Sequence, residues 1–464
     1  MLVFIILIIG LILRLIAVNQ SFWLDEAIQV LESTVPFSEV WKIPADFHPP
    51  LFHYLGWFWL KVSTAEWWAR LLPLSLGLGS IYFLYQEAKE LINKKTAVIA
   101  ALFLASSGFH VYYSQEFRPY ILSCFLATAS FYLFFKLIKS SKSLSIVFIL
   151  VNALGFYSLY YFPLILAGQG IAMLLFYKKR FFKWLANIGT SFLFFLPWLP
   201  MFAKQLAIGS GWAQSFTVWK TSVSTPLFKV LPLVFVKFWL GNISISNNLL
   251  YFMTGLMLFI LTIFLIRHAF VKKKKLAVII LIFLLVPITI AFLSSFIVPT
   301  IAPKRLLLIL PQFYFLLALG IVSLPKKFQK PVLAIIFLIN ISSLSAYYLN
   351  SNFQREQWRQ AVDWTEENAS ANSLALFEFS SPFGPWTYYQ TGKVEGRAVF
   401  ENGTEVSQSM PKLAENKNSI FLFHYLFEMT DPDQKAARWL LNNGFVLKTT
   451  KDFPGVGFVY KYAK

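Results

Sequence analysis

The chain has 464 residues, of which 57% are hydrophobic, 18% aromatic and 14% charged, with a mean hydropathy of +0.60. Soluble globular chains carry about 25% charged residues, so an ordinary cytosolic enzyme is excluded, and the same composition excludes a disordered chain and a fibrous repeat. The single cysteine, Cys124, excludes a disulfide framework and a thiolate metal cluster.

The net charge of +19 is unevenly placed. Residues 1–349 hold 29 Lys or Arg against nine acids, net +20, whereas residues 350–464 hold 12 against 13, net −1. This contrast predicts a basic membrane body followed by a near-neutral, water-soluble tail. No carboxylate occurs from Phe117 to Arg355, so any general base in the body comes from its first third.

A helix needs roughly 20 mostly apolar residues to cross about 30 Å of hydrocarbon. Eleven spans are predicted, near 2–18, 67–86, 96–112, 120–138, 144–160, 163–177, 184–203, 248–266, 276–297, 305–323 and 331–349. The first is not read as a cleavable signal, because Arg14 lies within it and no small-residue cleavage site follows. Connectors near 87–95, 136–143, 178–183, 267–275 and 324–330 hold 18 of the 29 cations. By the positive-inside rule these loops are cytoplasmic, which puts the amino terminus inside and the tail outside a plasma membrane crossed many times. Cations confined to short connectors also argue against a nucleic-acid partner. Thr225 to Ser246 is apolar but interrupted by Lys229, Pro232 and Lys237, and is read as a helix in the outer interface; if it crosses, everything after it inverts.

The first outer loop, Asn19 to Glu66, holds six of the nine acids, then His48-Pro49-Pro50 and the aromatic run Leu51 to Leu60. That run is too short to span, prolines suit a helix start, and Trp57 and Trp59 suit headgroup depth. Short interfacial helices are predicted there. In the tail, 354–367 reads as an amphipathic helix, 373–379 and 419–425 as buried strands, 435–441 as a helix capped by Asn443-Gly444, and 445–450 and 457–462 as strands. The tail shows neither a phosphate-binding glycine loop nor a metal-ligand spacing.

Each chemically capable residue has two readings. Asp25 and Glu26 either begin a helix, where carboxylates favour the dipole, or mark a site at the membrane boundary, where a carboxylate screened from water becomes a better proton acceptor. Glu116 and Arg118, in a connector with Tyr112, Tyr113, Gln115 and Tyr120, are either a turn-capping ion pair or part of a site. Lys304 and Arg305 either snorkel to lipid headgroups or clamp a phosphate. His48 is either a packed histidine or a ligand.

Phe22-Trp23-Leu24-Asp25-Glu26-Ala27 after the first span, followed by His48-Pro49-Pro50-Leu51 and its aromatic run, resembles the polyprenyl-phosphate-sugar-dependent glycosyltransferases of the GT-C superfamily. The likeness is to the family-39-like set that includes protein O-mannosyltransferases and the aminoarabinose transferase of lipid A. Tyr113 to Tyr120 is similar to that set's second outer loop, Pro303-Lys304-Arg305-Leu306 to a later outer motif, and Gln357 to Val362 to the helix opening the soluble tail. Lys304-Arg305 departs from the Arg-Tyr of many relatives. The resemblance implies a mainly α, polytopic GT-C membrane body over 1–349 and a small extracytoplasmic α/β domain over 350–464. It implies inverting transfer of a sugar from a polyprenyl-phosphate donor to an acceptor hydroxyl of protein, lipid or glycan on the outer face. Asp25 is then the base and Glu26 its neighbour. Glu116 is a second-loop acid, and Arg118, Lys304 and Arg305 are donor-phosphate ligands. His48, Tyr113 and Tyr120 are expected to bind substrate.

Inversion fits the residues too, since a covalent intermediate calls for a second carboxylate as nucleophile. A flippase or transporter for lipid-linked sugars is the alternative, though such proteins place ionisable groups at the bilayer midplane and this chain keeps its acids at one rim. A scaffold role for the tail is a third reading. A divalent cation of the Mg²⁺ or Mn²⁺ type, held by Asp25, Asp46, His48 and Glu116, stays open.

Overall fold

The computed structural model describes residues 1–42, 46–139, 143–215, 226–298, 301–379, 383–400 and 406–464. The chain divides into two compact units, one of Met1–Val18 with Val35–Leu349 and one of Asn19–Thr34 with Asn350–Lys464. The helices of the first two-thirds, in chain order, are α1 (Leu2–Leu15), α2 (Leu24–Glu32), α3 (Leu51–Trp59), α4 (Glu66–Leu91), α5 (Lys94–Ser106), α6 (Gly108–Ser114), α7 (Tyr120–Lys139), α8 (Ser143–Phe156), α9 (Pro163–Phe176), α10 (Phe181–Leu193), α11 (Leu199–Ser215), α12 (Leu227–Leu240), α13 (Asn248–Ser294), α14 (Leu310–Ser323) and α15 (Lys326–Leu349). All but α2 belong to the first unit.

Every apolar stretch predicted to span falls on helix. Among the described residues, four segments are long and apolar enough to cross a membrane: α7, α13, Pro303–Ser323 and α15. The number becomes six if two bent pairs each count as one span, while α1, α9 and Leu144–Phe156 are shorter apolar helices. Eleven crossings are therefore not reached on length and composition. In α4 the charges sit at both ends, Glu66 and Arg70 at its start and Glu87, Lys89 and Glu90 at its finish, which confines its uncharged stretch to 71–86.

The stretch predicted as one span over 96–112 is broken into α5 and α6, bent by 61°. Ser107, extended at φ −65° and ψ 120°, ends α5, and its hydroxyl accepts the His110 amide to cap α6. The 47 residues of α13 are two helices joined at Lys273, whose φ and ψ are not helical. A straight helix of that length would run about 70 Å, more than twice the hydrocarbon thickness. α4 packs on α5 and α7, and α13 on α9 and α14. Arg14 is wholly buried, and its two Nη atoms reach Gly10 O at 2.8 Å, Ala105 O at 3.0 Å and His110 Nδ1 at 2.7 Å.

The expected interfacial helices are α2, α3 and a 3-10 turn at Val40–Lys42, with Pro50 as the residue before α3. Trp57 and Trp59, expected at headgroup depth, both spend their indole N–H inside the first unit. Trp57 donates to Val35 O, and Trp59 stacks on Trp68 at 4.9 Å with reciprocal indole-to-carbonyl bonds of 2.8 and 3.0 Å. Of 225–246, Thr225 lies outside the described residues, and α12 covers most of the rest.

The second unit adds α16 (Trp358–Glu367), β1 (Ser373–Phe377), α17 (Gly384–Tyr389), β2 (Glu395–Ala398), α18 (Val406–Leu413), β3 (Ser419–Phe423), α19 (Phe427–Thr430), α20 (Lys435–Asn442), β4 (Val446–Phe453) and β5 (Gly457–Ala463). The sheet order is β2-β1-β3-β5-β4, with β2, β1 and β3 parallel and β5 antiparallel to both β3 and β4. Two apolar clusters cover its faces, one built around Trp358, Phe377 and Phe423, the other around Leu376, Leu422 and Leu440. α17 packs on α2 at Gly384, where a Cβ would meet Ile28 Cγ1 at 2.6 Å.

Candidate active site

In the first unit the site is built on the start of α3, the turn before α7 and the turn before α14. Asp46 is buried and collects three partners. Its Oδ1 lies 2.7 Å from His48 Nδ1 and 3.6 Å from an Arg118 Nη, and its Oδ2 lies 3.0 Å from His53 Nε2. Burial alone would raise this carboxyl, but His48 and Arg118 more than offset that and hold it well below the usual carboxylate range. An acid held so firmly ionised is an anchor rather than a proton acceptor.

Burial pushes the His48 imidazole down to about 4, with Arg118 and Arg305 adding to the fall and Asp46 opposing it. His48 is thus neutral at pH 7. Arg118 Nη2 also lies 3.1 Å from His48 Nδ1, but a nitrogen cannot donate to Asp46 and accept from Arg118 at once. The shorter contact to the ionised carboxylate decides it, so Nδ1 carries the proton and Nε2 keeps the lone pair. The main chain here is also pinned: Gln205 donates its amide to the carbonyls of Asp46 and His48 and accepts from Tyr160, whose oxygen takes the Trp198 indole N–H at 2.9 Å.

Tyr120, at the start of α7, meets the edge of His48 at 5.7 Å and of Tyr113 at 5.7 Å. Lys304 lies over the Tyr120 ring at 5.2 Å and Arg305 over the Tyr161 ring at 6.0 Å. Both cations sit on a 3-10 helix, Pro303–Ile309, unusually long for that geometry. Pro311 at the start of α14 explains why the tighter turn is not absorbed: it has no N–H to bond back to residue 307. Lys304 and Arg305 remain partly exposed, whereas Arg118 and Glu116 are buried.

So the first unit brings together His48, Tyr113, Arg118, Tyr120, Lys304 and Arg305 around a neutral imidazole and an already compensated carboxylate. Asp25 and Glu26 belong to the second unit, in the first turn of α2, with Glu26 buried and Asp25 half-buried. There the tail fixes the entry to α2. Tyr389 OH accepts the Phe22 amide at 2.6 Å, and Glu356 accepts the Leu24 amide at 3.2 Å, the Trp358 indole at 2.7 Å and the Tyr425 hydroxyl at 3.0 Å.

His53, Gln205 and Tyr160 escape the sequence reading as site residues. His53 had a signal, since it follows the His48-Pro49-Pro50 element closely and lies in the first turn of α3. Gln205 and Tyr160 had none, being polar residues in apolar stretches. An oxygen and an imidazole nitrogen 3.0 Å apart, as in Asp46 and His53, have the donor chemistry and spacing of neighbouring ligands on a hard divalent ion, although Arg118 beside the same carboxylate opposes one.

Residues 47–203, about a third of the chain, match the dolichyl-phosphate-mannose-protein mannosyltransferase family. No curated protein sequence matches the chain. Among solved structures, ArnT from Cupriavidus metallidurans bound to undecaprenyl phosphate aligns over 99% of this chain and 97% of that one, at 11% identity and TM-score 0.61. The chain has the GT-C glycosyltransferase fold. The Archaeoglobus fulgidus oligosaccharyltransferase shares this GT-C fold. Its structure with Zn and sulfate covers 99% of this chain and 73% of that one at 14% identity and TM-score 0.57. Its complex with an inhibitory peptide and a dolichol-phosphate covers 99% and 74% at 14% identity and TM-score 0.55. Family match and GT-C fold agree on a membrane glycosyltransferase.

Proposed function

We propose that the protein transfers a sugar, with inversion, from a polyprenyl-phosphate-linked donor to an acceptor hydroxyl on the outer face of a cell membrane. The observation that carries this reading is the cationic set of Arg118 against His48, Lys304 over the Tyr120 ring and Arg305 over the Tyr161 ring. A donor phosphodiester carries one negative charge, and the departing prenyl phosphate gains a second as the sugar–oxygen bond breaks. Fixed positive charge where that charge grows lowers the barrier, and two guanidinium forks with an ammonium suit phosphate oxygens. The neighbours solved with undecaprenyl phosphate and with dolichol-phosphate support the same donor class.

In this mechanism Asp25 takes the acceptor hydroxyl proton as the acceptor oxygen attacks the anomeric carbon from the face opposite the phosphate. Glu26 supports Asp25 from within α2. Glu116 lies on the same turn as Arg118 and borders the donor or acceptor. Tyr113 and Tyr120 offer ring faces and hydroxyls to the sugar. A divalent cation, held by Asp46 and His53, would add positive charge beside the phosphate.

The test is turnover of synthetic prenyl-phosphate sugars by the purified full chain, with the anomeric configuration of the product read by NMR. Removing a general base typically costs about 10²–10⁴ in rate. Asp25→Asn is therefore expected to lose at least about a hundredfold in kcat while donor binding persists; Asp25→Asn at the normal rate, or a product of retained configuration, would overturn the reading.

A further inference from the structure

The second unit contains a buried acid that the glycosyl-transfer reading does not use. Glu378 follows β1 directly, is fully buried, and neither of its carboxylate oxygens has a hydrogen-bond partner among the described residues. No Lys or Arg pairs with it among the described residues; its basic neighbour is the His424 imidazole, with Nε2 3.7 Å from Oε2. Asp431, also buried, and the exposed Glu428 add negative charge at the same place. A buried carboxylate left this way is costly to keep ionised. Protonation removes the charge but leaves both oxygens without a hydrogen-bond partner among the described residues, so a proton alone does not satisfy the site.

Topology makes this place special. β1 is followed by β2 on one side of it in the sheet, and β3 by β4 and β5 on the other, so the β1–β3 boundary is where the chain reverses its direction of travel. Glu378 directly follows one strand of that pair and His424 directly follows the other. In open α/β sheets the crevice at the carboxyl ends of strands flanking such a switch point is the usual ligand position. His424 is held there as a preset ligand, its ring stacked on Phe427 at 3.5 Å and edge-on to Tyr460 at 5.6 Å.

We propose that this switch point binds a zinc-class divalent cation between the Glu378 carboxylate and the His424 Nε2. Two ligands of one tetrahedral zinc, each about 2.0–2.2 Å from the metal, lie about 3.4 Å apart, so the observed 3.7 Å closes with a shift of a few tenths of an ångström. Asp431 is tied to the start of α20 through the Lys435 and Ala436 amides, at 2.8 and 2.9 Å, and supplies field without being pulled in. Water completes the coordination. The ion would join the end of β1 to the end of β3.

The full chain, purified in detergent, stripped with chelator and carrying His53→Gln so that the first-unit cluster cannot contribute, is titrated with CoCl₂ and then ZnCl₂. One Co²⁺ per chain with visible d–d absorption, displaced by Zn²⁺, is expected. Glu378→Gln and His424→Gln should each weaken binding at least tenfold, and His424→Gln, at a partly exposed ring, decides the matter if Glu378→Gln does not fold. Absence of binding, or unchanged binding in either variant, overturns the proposal. Sugar transfer is measured separately, so loss of the ion and loss of transferase activity are distinct outcomes.

Discussion

Asp46 and Glu356 show how one residue type takes opposite states in one chain. Asp46 is buried among two imidazoles and a guanidinium and stays ionised. Glu356 is nearly as buried, but its partners are neutral donors, and burial pushes it up to about 7, with Asp25 adding to the rise and three hydrogen bonds opposing it. A raised folded pKa means that folding favours the protonated acid. Its contribution is complete below the unfolded value of 4.5 and is lost as pH rises through about 7. That difference is worth roughly 3 kcal/mol. Thermal unfolding of the full chain from pH 5 to 8 should fall more steeply for wild type than for Glu356→Gln, and parallel curves would show that Glu356 is ionised in the fold. Residue identities at the candidate site were partly legible: His48, Arg118, Lys304 and Arg305 stand out as ionisable groups in apolar surroundings. Their common target did not, because the Asp46–Arg118 contact joins positions 72 apart in sequence, and nothing local in either segment signals it.

At the scale of elements, helices were legible wherever an apolar run of adequate length existed, and their breaks were less so. Ser106-Ser107-Gly108 carries the signal for the α5–α6 bend, but its strength depends on a partner 133 residues away. Gly241 ends α12 at φ +65° and ψ −150°, a region open essentially to glycine alone, and a Cβ there would sit 2.9 Å from the Gly108 carbonyl carbon and 3.0 Å from the Phe109 nitrogen. Gly241→Ala should therefore cost about 2–4 kcal/mol, from backbone strain of about 1–3 kcal/mol together with the clash. Gly189 in α10, with nothing within 4 Å of its added Cβ, is the control, and alanine there should be neutral or slightly stabilising. Equal unfolding temperatures for the two variants would refute the close-approach account. In the tail, β2 was invisible in sequence because Glu-Gly-Arg-Ala buries only Ala398 and offers no apolar run. α17 and α18 are six and eight residues long, too short to establish a helical period. The Glu378–His424 pairing was equally hidden, since the two sit at the ends of neighbouring strands and not at any ligand spacing along the chain.

For the whole molecule, charge distribution and helix length together decide the topology. α12 has 14 residues, about 21 Å of helix, which falls short of the hydrocarbon thickness. α13 turns at Lys273, so that Lys272 to Lys275 lie between two halves each long enough to cross. If α12 stays on one face, the Lys-rich turn is cytoplasmic and the tail is outside; if α12 crosses, both exchange sides, while Lys139, which precedes it, stays inside. Cys124 is buried, so single cysteines introduced at exposed positions report without interference. In sealed right-side-out vesicles, a membrane-impermeant maleimide should label Lys448→Cys directly and label Lys274→Cys and Lys139→Cys only after permeabilisation. Direct labelling at 274 together with protection at 448, with 139 still protected, would mean that α12 crosses. It would also move the 303–309 turn, with Lys304 and Arg305, to the face opposite the one on which the donor is proposed to bind.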